Sequence, residues 1–301
     1  MPPLERRAAP TPTTADGLYL ATERDVHRGV GFDAYPLLRP IRGKIRAENL
    51  LWNSLEHARA RATWEAPLRA IQALVGRDRS VWSVWLDHES EALSWEVRVL
   101  NPNGHPPLGI LEPLREILAP WVDLLPSVRD LPDYAMLGLR FDAAPPGGVG
   151  RMHVELHRRG PSPRVMQVYR VEAGGPRLAG HDVALHPKRD AHEVLAEIKA
   201  SRFVSYSLDR RLLGRTLIPE LFACRRLHVG RRDHCDALGF SGVNVDQLKF
   251  VHRRFDFPEP MRAYLARHRD RLEHILFDVV TEYVARDGTI AHLRTGFRSC
   301  F

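Results

Sequence analysis

Apolar and polar residues alternate in short stretches of this chain, and the stretches come in pairs. A period of two places neighbouring side chains on opposite faces of a strand, so each pair of stretches predicts a β-hairpin. The clear pairs are residues 80–87 with 93–100, residues 133–142 with 150–158, and residues 277–285 with 289–297. The pattern therefore predicts a chain rich in antiparallel strands.

Between the hairpins, apolar residues recur every three to four positions, which predicts amphipathic helices. The predicted helices span residues 44–61, 65–75, 108–125, 190–200, 246–255 and 259–276. Three more short strands are predicted at residues 202–208, 214–221 and 225–229. Residues 160–188 combine one alternating run with a Gly- and Pro-rich segment, and we predict an extra strand followed by a surface insertion.

The order of these elements favours an α+β fold. Consecutive strands joined by turns exclude parallel crossover units, and each helix must cover the apolar face of the sheet. Closing the sheet gives an antiparallel β-barrel with a polar lumen surrounded by helices, whereas an open sheet leaves its polar face in water. We expect residues 17–301 to form one such domain after a disordered lead-in over residues 1–16, which is rich in Pro, Thr and Ala.

Composition adds a basic character to this picture. The formal net charge is +7 and the isoelectric point is near 9.6, which favours an anionic partner. Arg supplies nearly all of the positive charge, so genomic base composition is a competing explanation. The three cysteines lack metal-ligand spacing, and no apolar run reaches the ~18 residues of a membrane span. We therefore expect a cytoplasmic protein without a membrane partner.

One strand carries an unusual polar face. In residues 151–157, alternation groups Arg151, His153, Glu155 and His157 on one side, opposite three apolar residues. The same reasoning groups Ser94, Glu96 and Arg98 on one strand, and Tyr134, Met136, Gly138 and Arg140 on another. Such faces either line a polar cavity or are simply solvated, and both interpretations stay open at this point.

Several segments resemble a known family. They are Ser80-Val81-Trp82 with Arg98 in the next strand, Leu137-Gly138-Leu139-Arg140 before Arg151-Met152-His153-Val154, Gly214-Arg215-Thr216, and the closing Gly296-Phe297. Together with the order of helices and hairpins, they resemble the ABBA prenyltransferases and, within that fold, the cyanobactin-type peptide prenyltransferases. The resemblance covers roughly residues 45–301.

The resemblance implies a prenyltransferase that holds an allylic diphosphate in the barrel lumen and transfers its isoprenyl group to a peptide. The side chains expected to bind the diphosphate are those of Arg98, Arg151, Arg140, His153 and Arg215. Tyr134 and Trp82 are expected to shield the allylic carbocation, and Mg²⁺ is expected to act through the diphosphate. The expected acceptor is a peptide side chain.

The chain departs from the family at the proton acceptor. Tyrosine-modifying members carry a glutamate on the first hairpin strand, where this chain has Trp82. This departure disfavours the tyrosine oxygen and leaves an indole or a guanidine as acceptor. Glu155, Glu96 and Glu282 have the strand parity for the catalytic carboxylate.

Two other interpretations compete. A non-catalytic nucleic-acid-binding protein would use Arg225, Arg226 and Arg254 on its outer surface. The segment Asp233-His234-Cys235-Asp236 suggests a metal site, although a polar loop is the simpler explanation without a second ligand cluster.

Overall fold

The computed structural model describes residues 13–15, 17–23, 25, 35, 37, 39–101, 108–119, 134–143, 153–172, 175–206 and 210–301. Its strands are β1 (Ser80–Asp87), β2 (Leu93–Leu100), β3 (Met136–Asp142), β4 (His153–Arg159), β5 (Val165–Glu172), β6 (Gly175–Leu185), β7 (Arg226–Arg232), β8 (Asp236–Val243), β9 (Phe277–Arg286) and β10 (Thr289–Cys300). Its helices are α1 (Glu48–His57), α2 (Arg61–Val75), α3 (Leu108–Leu118), α4 (Ala191–Lys199), α5 (Arg210–Thr216), α6 (Val245–Arg254), α7 (Glu259–Arg267) and α8 (Arg269–Leu272).

The ten strands form one closed antiparallel barrel. Each strand pairs with its neighbour in sequence, and β1 also pairs with β10, so that the first and last strands close the ring. Val84 shows the closure, because it lies opposite Trp95 on one side and Phe297 on the other. The prediction of an antiparallel barrel accompanied by helices is confirmed.

The main hydrophobic core lies between the outer face of the barrel and the helices. Trp95 of β2 donates a hydrogen bond from Nε1 to Ser54 Oγ of α1 at 2.9 Å, and Trp64 of α2 packs on Phe141 of β3 with ring centroids 4.1 Å apart. Alternation then assigns Trp82 of β1 to the same outer face, since Trp82 pairs with Val97. The opposite face of each strand points into the lumen.

The segment predicted as a surface insertion is instead part of the barrel wall. Residues 164–185 contain β5 and β6, which pair with each other and with β4 and β7. Gly180 allows β6 to approach β7, because a Cβ at this position would lie 1.9 Å from the carbonyl oxygen of Arg231. A glycine that indicated a loop in the sequence thus permits strand pairing.

Other boundaries also differ from the predictions. The predicted strand at 214–221 is wrong, because residues 214–216 belong to α5, in which Leu212 and Thr216 are buried at helical i, i+4 spacing. Pro219–Leu221 then forms a short 3-10 helix. Residues 202–206 of the predicted strand at 202–208 contain no strand, and 207–208 lie outside the described residues. In contrast, β7 continues to Arg232 and β10 to Cys300, beyond the predicted ends at 229 and 297.

Two predictions concern residues that the structure largely leaves out. The lead-in over 1–16 lies outside the described residues except for 13–15, and Arg151 lies outside them as well. Within the described part of the chain, no helix combines the length and apolar character that membrane crossing requires.

Candidate functional site

The strand register identifies the side chains that face the lumen. Cross-strand partners lie on the same face of a sheet, and Glu96 pairs with Ser83 on one side and Arg140 on the other, while Arg140 pairs with His153. Since Trp95 faces the helices, its neighbour Glu96 faces the lumen. By the same register, the charged lumen residues include Glu96, Arg98, Arg140, Glu155, Asp182, Arg232, Asp278, Glu282, Arg294 and Arg298.

The centre of the lumen is filled by Trp85 and the side chains around it. Trp85 Nε1 donates to Glu96 Oε2 at 3.3 Å, and the guanidinium carbons of Arg140 and Arg294 each lie 5.0 Å from the indole centroid. Gly296 leaves room for the indole, because a Cβ there would lie 2.6 Å from the ring. These side chains separate two cavities, one towards each end of the barrel.

The first cavity, which we call the basic cavity, has a volume of about 340 Å³. Among the described residues, its charged lining consists of six arginines and two carboxylates, namely Arg98, Arg159, Arg164, Arg226, Arg232 and Arg298 with Asp182 and Asp278. Its apolar lining includes Met136, Met166, Ala184, Ala237 and Val280. The cavity therefore offers a cationic surface beside an apolar one.

Arg98 and Arg232 each pair with a carboxylate inside the lumen, and Arg164 pairs with Glu193 outside it, whereas Arg298 forms no such pair within the described part of the chain. Arg98 Nε lies 2.8 Å from Glu96 Oε1, and Arg232 Nη2 lies 2.8 Å from Asp182 Oδ1. Arg298 is only 6% exposed, and its Nη1 has no hydrogen-bond partner among the described residues. Burial, together with repulsion from Arg98, lowers the pKa of Arg298 to about 10. Arg298 thus remains a buried cation at neutral pH that forms no direct ion pair among the described residues, although Glu96, Asp278 and Asp182 lie near enough to oppose the lowering of its pKa.

The histidines of the basic cavity add no positive charge at pH 7. Burial and the nearby Arg98 lower the pKa of His157 to about 4. Burial also lowers the pKa of His228, whose Nε2 lies 3.0 Å from Ser241 Oγ. The positive potential of the cavity therefore comes from arginine alone.

The second cavity, which we call the mixed mouth, is open at the other end of the barrel. Its charged lining has both signs and includes Asp87, Arg140, Asp142, Glu155, Arg170 and Arg294, beside the histidines His153 and His234. Burial tends to raise the pKa of Glu155, but Arg140 outweighs that effect and the pKa is lowered. Glu155 is therefore ionised at neutral pH, near the centre of the lumen.

The predicted site residues divide into three groups. Arg98 lines the basic cavity, and Glu96 lies beside Trp85 between the two cavities. Arg140, His153 and Glu155 reach the mixed mouth instead. The predicted diphosphate ligands thus do not form one cluster. Alternation along a strand predicts which face a side chain is on, but it does not predict how far along the barrel axis that side chain lies.

Three predicted residues lie outside the lumen. Trp82 is on the outer face of β1, where its ring packs edge-on against Phe297 at 5.8 Å. Tyr134 belongs to the hydrophobic core, and burial raises the pKa of its hydroxyl to about 12. Arg215 lies exposed on α5, where it hydrogen-bonds Thr289. These positions differ from the prediction, which placed all three side chains around a ligand in the lumen.

Sequence reasoning missed Arg298, Arg232 and Asp182 as lumen residues. Arg298 has the parity of Arg294 and Gly296, but the predicted strand ended one residue before it. Arg232 was likewise beyond the predicted end of its strand, and Asp182 fell in the predicted insertion. If the predicted strands had included residues 175–185, 230–232 and 298–300, the alternating pattern would have placed all three side chains on the lumen face.

Two groups of side chains in the described residues bring potential metal ligands within 4.8 Å of one another: Glu96 with Glu155 and His157, and His234 with Cys235 and Glu282. In the second group, Glu282 already accepts hydrogen bonds from two nitrogens of Arg294. The segment at 233–236 thus gains a nearby carboxylate from β9. In both groups one carboxylate is held by an arginine, because Glu96 of the first group pairs with Arg98.

Comparison with known proteins adds no family assignment. No protein-family model matches the chain, and the search of curated proteins finds no match either. The geometry of the lumen therefore carries the functional proposal.

Proposed function

We propose that this protein is a prenyltransferase that moves a short isoprenyl group from an allylic diphosphate to a side chain of a peptide. The observation that supports this best is the basic cavity, where the buried cations Arg98 of β2 and Arg298 of β10, together with arginines of β7, meet an apolar wall. An allylic diphosphate has the matching shape of an anionic head and a hydrocarbon tail. The resemblance of several segments to peptide prenyltransferases favours the same reaction.

The head group fits the arginines. Guanidinium groups bind phosphate oxygens in a bidentate manner and remain charged. A buried cation without a direct ion pair is unfavourable, so a diphosphate beside Arg298 would stabilise the site as well as bind to it. Asp182 and Asp278 are the only carboxylates lining the cavity within the described residues, and Asp182 is held by Arg232. Mg²⁺ would therefore be held by diphosphate oxygens and would offset their charge.

The volume of the cavity favours a small donor. Small-molecule sites commonly enclose about 300–1,000 Å³, and the basic cavity is near the lower end at about 340 Å³. We therefore expect dimethylallyl diphosphate to be preferred over geranyl diphosphate.

In the proposed reaction, the bond between the allylic carbon and the diphosphate oxygen breaks, and pyrophosphate leaves with the bonding electrons. The arginines stabilise the leaving group, and Trp85 offers a lumen-facing aromatic ring that can stabilise the allylic cation. A nucleophilic atom of the peptide side chain then bonds to the allylic carbon, and its proton passes to a carboxylate. Glu155 and Glu282 face the lumen at the level of the mixed mouth and are the best placed acceptors.

In this proposal the acceptor enters through the mixed mouth, and Trp85 and its neighbours, which separate the two cavities, move aside so that the acceptor reaches the allylic carbon. The lumen-facing residues of β1 include Ser83 and Trp85 but no carboxylate before Asp87 at the end of the strand. A tyrosine hydroxyl would therefore lack a base on this strand, which favours an indole or a guanidine. The alternative of nucleic-acid binding is weaker, because Arg226 lines the basic cavity and Arg262 and Arg269 pair with acidic residues on the surface.

The test is direct. The protein is incubated with Mg²⁺, dimethylallyl or geranyl diphosphate, and peptides that contain Trp, Arg or Tyr, and products are examined for the mass of one added prenyl group. We expect prenylated Trp or Arg peptides, and loss of product in Arg298→Met but not in Arg215→Met. Absence of transfer with every donor and peptide would contradict the proposal.

A further inference from the structure

Three potential metal ligands converge at the centre of the lumen. Glu96 of β2 and the pair Glu155 and His157 of β4 each offer one ligand atom, and these atoms lie within 4.8 Å of one another. Glu155 and His157 are two positions apart on one strand, so both face the lumen. Glu96 approaches from the other side of β3.

Gly138 makes this approach possible. It lies on β3 between the two ligand-bearing strands, opposite Arg98 on β2 and Glu155 on β4. A Cβ at position 138 would lie 2.8 Å from Glu96 Oε1 and 3.7 Å from the Cβ of Glu155. Any side chain here would therefore displace the Glu96 carboxylate from the space that the two glutamates share.

His157 provides an independent sign that a ligand belongs here. Its side chain is 2% exposed, and its Nε2 has no hydrogen-bond partner among the described residues. That nitrogen lies 3.8 Å from Glu155 Oε2, which is beyond hydrogen-bond distance but suitable for two atoms that share a metal ion. Buried polar atoms in native proteins usually have a partner, so a bound cation would satisfy an otherwise isolated nitrogen.

We propose that Glu96, Glu155 and His157 bind one divalent first-row transition ion, such as Mn²⁺ or Zn²⁺. Carboxylate oxygens suit Mn²⁺ and Mg²⁺, and an imidazole nitrogen shifts the preference towards transition metals. The ion meets the basic cavity on the side of His157, which lines that cavity. Its remaining coordination positions are open to water or to an anionic oxygen.

The surrounding charges explain how the site would couple to an anion. Arg98 is paired with Glu96, and Arg140 lies close enough to lower the pKa of Glu155. The two carboxylates are thus already balanced by two guanidinium groups. A divalent ion would add positive charge, and an anion in the basic cavity would offset it.

The site is distinct from the proposed transfer reaction, since metal binding needs neither donor nor peptide. It has one consequence for that reaction. A metal ion that takes Glu155 as a ligand leaves Glu282, at the level of the mixed mouth, as the acceptor of the proton.

The experiment uses the full-length protein after EDTA treatment. Mn²⁺ and Zn²⁺ are titrated by calorimetry, and bound Mn²⁺ is examined by pulsed electron paramagnetic resonance for coupling to an imidazole nitrogen. We expect one ion per chain and a nitrogen coupling that disappears in His157→Gln. The affinity should fall at least tenfold in His157→Gln and Glu155→Gln, with His153→Gln on the same strand as an unaffected control.

Gly138→Ala tests the geometry while all three ligands remain. It should also weaken binding at least tenfold, whereas Gly214→Ala, where a Cβ meets nothing within 4 Å, should leave it unchanged. If the buried His157→Gln variant does not fold, as judged by circular dichroism, the half-buried Glu155→Gln variant decides. The proposal is overturned if the wild type binds neither ion, or if Glu155→Gln and Gly138→Ala bind as the wild type does. Either result leaves the prenyl-transfer assay unaffected as a separate test.

Discussion

The two faces of the barrel wall differ in what stabilises them. On the outer face, Trp82, Trp95 and Phe141 pack with the helices in a continuous apolar core. On the inner face of the same strands, Glu96, Arg98 and Arg298 are buried as charges. Apolar burial stabilises a fold without regard to a ligand, whereas buried charges stabilise it only when they are paired. The outer face therefore stabilises the barrel by itself, whereas the inner face holds buried charge that a bound ligand can balance.

The largest expected effect comes from the outer face. Trp82→Ala removes a fully buried indole and its hydrogen bond to the carbonyl of Cys300, so we expect unfolding free energy to fall by about 3–5 kcal/mol. Urea denaturation measures this, with Leu178→Ala at an exposed position as the control. A Trp82→Ala protein of normal stability that no longer binds dimethylallyl diphosphate would place Trp82 in the lumen and contradict the comparison.

On the inner face, breaking an ion pair should lower the unfolding free energy by nearly as much. Asp182→Asn leaves Arg232 in the lumen without its counter-ion, and we expect a loss of about 3 kcal/mol in unfolding free energy. Glu259→Gln, which breaks an exposed pair with Arg262, should change it by less than about 0.5 kcal/mol. Equal effects of the two substitutions would show that the lumen pair is solvated like the surface pair.

One buried histidine in the outer core, His252, gives the comparison a pH dependence. His252 stacks on Phe257 at 4.4 Å, and burial lowers its pKa to about 3. Because the folded pKa is below the unfolded value near 6.5, the unfolded state binds the extra proton as the pH falls. Because of His252, the free energy of unfolding should therefore fall by about 1.4 kcal/mol for each pH unit as the pH is lowered from about 6.5 to 3.

The measurement compares unfolding free energies of the wild type and His252→Phe from pH 7 to pH 4. The difference between the two proteins should change with pH in favour of His252→Phe as the solution becomes more acidic. A difference that stays constant would mean that His252 is accessible to protons in the folded protein.

The smallest effect on stability should have the opposite sign. Arg298→Met removes a buried cation that forms no direct ion pair among the described residues, so we expect stability to stay unchanged or to rise by about 1 kcal/mol. The same substitution should impair prenyl transfer. If Arg298→Met destabilises the protein by several kcal/mol, Arg298 has a structural role, and the interpretation of the inner face fails.

The two faces also differ in how far the sequence predicted them. The barrel and the inward direction of Glu96, Arg98, Arg140 and Glu155 followed from alternation, because that pattern records which side of a strand is apolar. Residues at strand ends were missed, as Arg298 shows, since a local pattern does not define where pairing stops. The positions of Trp82 and Tyr134 were mistaken because aromatic residues suit both a core and a carbocation site. The grouping of Glu96 with His157 depends on the register of three strands, which no local pattern contains.

The central claim is that the inner face binds an allylic diphosphate through its buried cations. Calorimetric titration of the protein with dimethylallyl diphosphate and Mg²⁺ tests it most directly. We predict saturable binding of one molecule per chain, weakened at least tenfold by Arg298→Met and unchanged by Arg215→Met on the exposed helix. No saturable binding, or equal binding by the two variants, would contradict the claim.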